Sequence, residues 1–209
     1  MIGARVFGAL AVVATVAAAQ LVTGRVPVVD LGGGGPFVRS GELGDTVHLS
    51  YADVKVTDVR PAQYLAPPDS TALARLAGGV WVVVSVRLSA TTKPVSIPNA
   101  WLVDPEGREY LTSTRSSCAT NLRVFTGVPT YAMFCFDVPP DRLEGMHFRI
   151  ARGSFQTDQT NNDDLADVDL GVSAKEAETW PATTKAFRSL DYSLEPLELT
   201  EITLTETGS

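Results

Sequence analysis

The run Val80-Trp81-Val82-Val83-Val84-Ser85-Val86-Arg87-Leu88 constrains the fold more than any other part of the chain. Successive side chains of a strand point to opposite faces. Val80, Val82, Val84, Val86 and Leu88 therefore share one face, and Trp81, Val83, Ser85 and Arg87 share the other. The first face is wholly apolar and must be buried, so the chain is built around a sheet.

Neighbouring segments repeat the pattern. Val47, Leu49 and Tyr51 alternate, and Val54 to Asp58 continues in β-favouring residues. Ala100–Val103 and Arg108–Leu111 flank Asp104-Pro105-Glu106-Gly107, where proline presets φ and glycine supplies a positive φ for a turn. Thr130 to Val138 places Ala132, Phe134, Phe136 and Val138 on one face and stops at Pro139-Pro140, which cannot donate to a ladder. Met146, Phe148 and Ile150 alternate next, and Val168 to Val172 reads as a shorter strand. Between the early strands, Thr71 to Leu76 is compatible with a short helix, and no long amphipathic helix follows residue 37. Short strands separated by turn signals predict an all-β, immunoglobulin-like antiparallel β-sandwich.

The N-terminal side differs. Val6 to Val22 carries no charge, with Arg5 before it and Arg25 after it. As a helix it would reach roughly 25 Å, slightly short of a hydrocarbon core. That length fits a short membrane anchor or a signal-peptide core, with Ala17, Ala18 and Ala19 forming a cleavage pattern before Gln20. Both readings make the rest of the chain extracytoplasmic, either single-pass with the N-terminus inside or secreted. The domain plan is a signal or transmembrane segment over 1–25, a Gly-rich linker over 26–40, the sandwich over 41–175 and an acidic extension over 176–209. Sparse apolar residues and Glu195, Glu198, Glu201 and Glu206 make that extension read as a mostly unstructured tail. Its run Leu197 to Leu204 could alternatively pair as an edge strand.

A formal net charge of −7 argues against a nucleic-acid or anionic-lipid partner, which needs clustered Lys and Arg. The two cysteines, Cys118 and Cys135, read as one disulfide in an exported chain. With two distant histidines, His48 and His147, they do not form ligand pairs at zinc spacing.

Several of these segments, taken in order, resemble a known family. They are Gly41, Gly44, Asp45, Thr46 and Val47, then Trp81 to Leu88, Leu102 to Tyr110, and Phe134-Cys135-Phe136-Asp137-Val138-Pro139. The order resembles the extracytoplasmic immunoglobulin-like domains of actinobacterial lipoproteins and secreted antigens, typified by the domain of unknown function 4352 and the MPT63-like proteins. The resemblance covers about residues 41 to 153. It implies a β-sandwich outside the membrane and carries over no catalytic residue. Many relatives are lipid-anchored through a cysteine, and this chain has none near Ala19 or Gln20.

No catalytic set is evident. Both histidines alternate with apolar strand residues, and no Gly-x-Ser-x-Gly elbow or Cys-x-x-Cys pair exists. The loop containing Asp158, Asn162 and Asp164 has the oxygen density calcium needs. It lacks the central glycine and terminal glutamate of an EF-hand, which favours a solvated acidic loop. An outward Trp81 beside Val83 would mark a partner surface, although core packing is the default for an indole between apolar neighbours. The expected function is a non-enzymatic extracytoplasmic module, with no cofactor, that binds a protein partner or an envelope component. If uncleaved, its N-terminal helix would hold it in the membrane. An accessory subunit of a membrane complex is the alternative, because Gly3, Ala4, Gly8, Ala11 and Ala14 permit close helix approach. A secreted hydrolase is the third reading.

Overall fold

In the computed structural model, residues 36–97, 99–152 and 163–203 are described. Thirteen strands lie among them: β1 (Phe37–Glu42), β2 (Val47–His48), β3 (Ala52–Ala66), β4 (Arg75–Ala90), β5 (Val95–Ile97), β6 (Asn99–Val103), β7 (Glu109–Leu111), β8 (Leu122–Val124), β9 (Thr130–Val138), β10 (His147–Ala151), β11 (Asp164–Asp169), β12 (Ala186–Arg188) and β13 (Tyr192–Ser193). One helix, α1 (Ala174–Thr179), joins them. The proposed N-terminal helix and most of the Gly-rich linker lie outside the described residues. Among those described, no helix is long and apolar enough to cross a membrane.

Two sheets form the sandwich. One has the order β1-β11-β10-β6-β7; the other has β12-β3-β4-β9-β13, with β2 on β3. The core between them takes the face of β4 expected from its alternation (Val80, Val82, Val84, Val86, Leu88), with Phe134 and Phe136 of β9 and Phe148 and Ile150 of β10. Phe134 and Phe136 pack their rings against Phe148, with centroids 5.6 and 6.2 Å apart. The short pair β5-β8 adds Val95, Ile97, Leu122 and Val124 to the same core. The Asp104–Gly107 turn forms as expected. Gly107 has φ +83°, and the Asp104 carboxylate accepts hydrogen bonds from Glu106 N–H, Arg108 N–H and the Tyr110 hydroxyl.

The sandwich is not purely antiparallel. β1 pairs parallel to β11, from Phe37↔Asp164 to Glu42↔Asp169, and β12 pairs parallel to β3. β1 starts inside the segment expected to be linker, because the backbone of residues 37 to 42 completes a sheet edge although Phe37 and Val38 stay exposed. The helix-compatible run also shortens to a single 3-10 turn, Thr71–Leu73, since β4 already begins at Arg75. Pro61 falls inside β3 opposite Val82, and it is tolerated because β12 does not reach that level.

The extension is ordered through residue 203, against the expected tail. Ser173 and Glu176 form a reciprocal capping box that starts α1, and Trp180 then enters the core. Segment 186–202 crosses the outer face of the β3-β4-β9 sheet. Arg188 N–H donates to Thr200 O and Ile202 N–H to Ala186 O, while the Ser189 amide and hydroxyl both donate to Ala66 O. Phe187, Leu190 and Leu199 supply enough apolar surface to seat this strap on that face, and the carboxylates stay in solvent.

Candidate functional site

β3 and β4 run past the sandwich as a hairpin, in which Leu65 pairs with Arg75 and Tyr64 with Leu76. Beside its tip lies loop 113–119, held to β9 at three points. Ser113 N–H donates to Cys135 O, Ala119 N–H donates to Met133 O, and Cys118 is disulfide-bonded to Cys135 with a Cα separation of 5.8 Å. Such a cross-link contributes about 3 kcal/mol in the chain-entropy account and removes freedom from the loop.

Arg115 clamps the loop to the hairpin. Its guanidinium donates to Asp137 Oδ2 at 2.8 Å and to Leu76 O at 2.9 Å, and it lies 5.7 Å from the Trp81 ring centroid. Asp137 also accepts from Gly78 N–H and Gly79 N–H, each at 2.9 Å. Gly79 is required at this point, since a Cβ there would meet Val138 O at 2.2 Å. The Trp81 indole N–H donates to Arg75 O at 3.0 Å and fixes the root of β4.

Between hairpin and loop lies a groove of about 270 Å³, lined by Leu65, Pro67, Leu73 and Arg75 on one side and by Thr114, Arg115, Ser116 and Ser117 on the other. Among the described residues, no carboxylate lines it. Among the described residues Arg75 has no ion-pair partner, and the Thr114 and Ser117 hydroxyls have no hydrogen-bond partner. The Ser116 hydroxyl donates to Ser113 O at 3.3 Å and keeps its lone pairs free to accept. Other concavities differ in charge. The cleft of about 450 Å³ under α1 holds Glu176 beside Arg60 and Lys185. Its neighbour of about 320 Å³ holds Asp58, Glu198 and Glu201, and a hollow of about 80 Å³ holds Asp53.

Trp81 and Val83, expected to mark a partner surface if outward, are not exposed. Both are fully buried with Met133, Cys135 and Phe187 beneath the strap. Of the candidate calcium ligands, Asp158 and Asn162 lie outside the described residues. Asp164 is buried and committed elsewhere, accepting from Ser50 N–H at 2.6 Å and from Arg39 Nε at 3.1 Å. Burial pushes its pKa up, but these hydrogen bonds and the Arg39 charge outweigh it and hold the carboxyl below its usual range. Among the described residues, no group of three or more His, Cys, Asp or Glu could hold a metal ion.

Among the described residues, the histidines do not meet a nucleophile. His48 pairs with Asp53 on an exposed strand, Nδ1 to Oδ1 at 2.7 Å. His147 Nδ1 lies 2.8 Å from Asp167 Oδ1, and Arg149 donates to Oδ2 of the same carboxylate. Ser40 of β1 sits next to Asp167 on the side of β11 away from His147. The acid therefore lies between hydroxyl and imidazole, the wrong order for a serine–histidine relay. Arg75 was not legible as a site residue, because it stood within the helix-compatible run Thr71 to Leu76. The serine- and threonine-rich run Ser113–Ser117 was the signal available for the rest.

No protein-family model matches the chain, and no curated protein does. Solved structures similar to it include the yjhA protein from Bacillus subtilis, at 12% identity and TM-score 0.45, covering 62% of this chain and 99% of that one. An uncharacterised β-sandwich protein from Clostridium difficile has 10% identity and TM-score 0.38, covering 63% of this chain and 95% of that one. The secreted protein MPT63 from Mycobacterium tuberculosis has 12% identity and TM-score 0.42, covering 63% of this chain and 97% of that one.

Proposed function

We propose that the chain is a non-enzymatic extracytoplasmic binding module, secreted or membrane-anchored, whose ligand site is the disulfide-pinned groove. The observation that carries this reading is the fixing of loop 113–119 to β9 by two backbone hydrogen bonds and a disulfide, with its exposed hydroxyls lining an open groove. A preorganised wall loses little entropy when it binds. A disulfide persists in an oxidising compartment, which supports a place outside the cytoplasm. The motif resemblance to actinobacterial secreted domains agrees with that compartment, and the finer assignment to the domain of unknown function 4352 rests on those motifs alone.

The test is co-sedimentation of the purified protein with isolated cell-envelope material. Retention is expected, and Ser117→Trp, which fills the groove from an exposed position, should abolish it without lowering the unfolding midpoint. Equal retention of the Trp variant would remove the groove from the function. Hydrolysis of an ester, peptide or glycan that is lost on mutation of a pocket residue would overturn the non-enzymatic reading.

A further inference from the structure

The chain carries a formal net charge of −7, yet among the described residues no carboxylate lines the groove beside the disulfide. Its two guanidiniums are not equivalent. Arg115 is paired with Asp137 and bonded to Leu76 O, so it serves as a fixed wall. Arg75 is exposed and unpaired among the described residues, and its main chain is anchored by the buried Trp81 indole. An exposed guanidinium without a partner, on an anchored main chain, is suited to a planar or tetrahedral anion, which it can bind through two parallel N–H donors.

The rest of the lining adds two further demands. Thr114, Ser116 and Ser117 present hydroxyls that both donate and accept, matching a ligand rich in hydroxyl groups. Half-buried Pro67 and half-exposed Leu73 offer an apolar wall opposite them, with Leu65 buried behind. At about 270 Å³ the groove is smaller than a drug-sized site and holds a single ring-sized unit. One anionic group, several hydroxyls and one apolar face describe an anionic sugar.

Resting on the binding reading above, we infer that the groove takes an anionic sugar unit, with its carboxylate or phosphate on Arg75, its hydroxyls on Thr114, Ser116 and Ser117, and its apolar face on Pro67 and Leu73. The two sources of charge, a uronic acid and a sugar phosphate, share this chemistry and are separated by experiment.

Amide chemical shifts of the full chain would be followed by NMR during titration with glucuronate, glucose 6-phosphate, glucose and N-acetylglutamate. At least one anionic sugar should shift residues 75 and 114–117 saturably, and whichever binds more tightly identifies the source of charge. Glucose should bind about tenfold more weakly, the worth of one charge-assisted contact. Arg75→Gln should weaken the anionic sugar by a similar factor, and added salt should weaken it further. Thr114→Val combined with Ser117→Ala should lower sugar affinity and leave N-acetylglutamate unaffected. If glucose binds the groove as tightly as the anions, the charge assignment falls while the groove remains a binding site. If N-acetylglutamate binds most tightly, the occupant is an acidic peptide and the inference is overturned. If no probe shifts groove residues and envelope retention ignores both Arg75→Gln and Ser117→Trp, the inference and the binding reading fall together.

Discussion

At the scale of single residues, Asp137 concentrates more of the site than any groove-lining side chain. It accepts from the two glycine amides at the hairpin root and from Arg115, which carries the loop. Asp137→Ala leaves those donors without a partner and removes the clamp. It should cost about 2–3 kcal/mol in urea denaturation, and a cost below about 0.5 kcal/mol would show the clamp to be incidental. This residue was visible in the sequence only as part of Phe136-Asp137-Val138, a polar step in an apolar strand. Its partners come from residues far away along the chain, so no local pattern could reveal them. Asp104 was legible for the opposite reason, since its turn lies within a few residues of it.

At the scale of elements, the strap is the part that composition misjudged. Sequence heuristics for disorder average over a window, and 186–203 averages acidic and polar. Seating depends on individual side chains, and Phe187 reaches 3% exposure against Trp81, Val83, Met133 and Cys135. Phe187→Ala should cost about 3 kcal/mol, as truncation of a buried aromatic does, and should speed proteolysis within 186–203. An unchanged midpoint would mean that the strap rests on the sheet without holding it. The long strands were easier to read. β4 and β9 declare themselves because their core faces alternate strictly, whereas β1 has nearly all of its side chains exposed and so carries no hydrophobic period. What forms β1 is main-chain pairing with a strand more than a hundred residues away, and sequence does not encode that locally.

At the scale of the whole molecule, two loops close the sandwich through buried polar groups. The Tyr51 hydroxyl donates to Asp164 O at 2.8 Å and accepts from Arg152 N–H at 2.9 Å, linking the start of β3 to β10 and β11. Burial pushes the Tyr51 pKa up to about 12. For Asp104, as for Asp164, burial pushes the pKa up, but hydrogen bonds from Arg108 N–H, the Tyr110 hydroxyl and Glu106 N–H outweigh it and leave it lowered. The sign follows from linkage. A lowered carboxyl contributes stability above its unfolded value near ~3.9 and loses it as pH falls through the folded value. A raised phenol contributes below ~10 and loses it as pH rises toward the folded value. Unfolding free energy should therefore fall steeply below about pH 4. The deficit of Asp164→Asn should be largest at neutral pH and shrink in acid. A constant deficit down to pH 2 would contradict the assignment of Asp164.

The parallel pairing of β1 with β11 has a mechanical meaning. A pull that enters at residue 36 and runs along the strand slides β1 lengthwise past β11, so the ladder from Phe37↔Asp164 to Glu42↔Asp169 bears the load in shear. Bonds loaded in this way must give together, whereas a hairpin pulled at its open end unzips one rung at a time. A domain tethered on that side and tugged through a bound ligand would hold until the whole rung set failed at once.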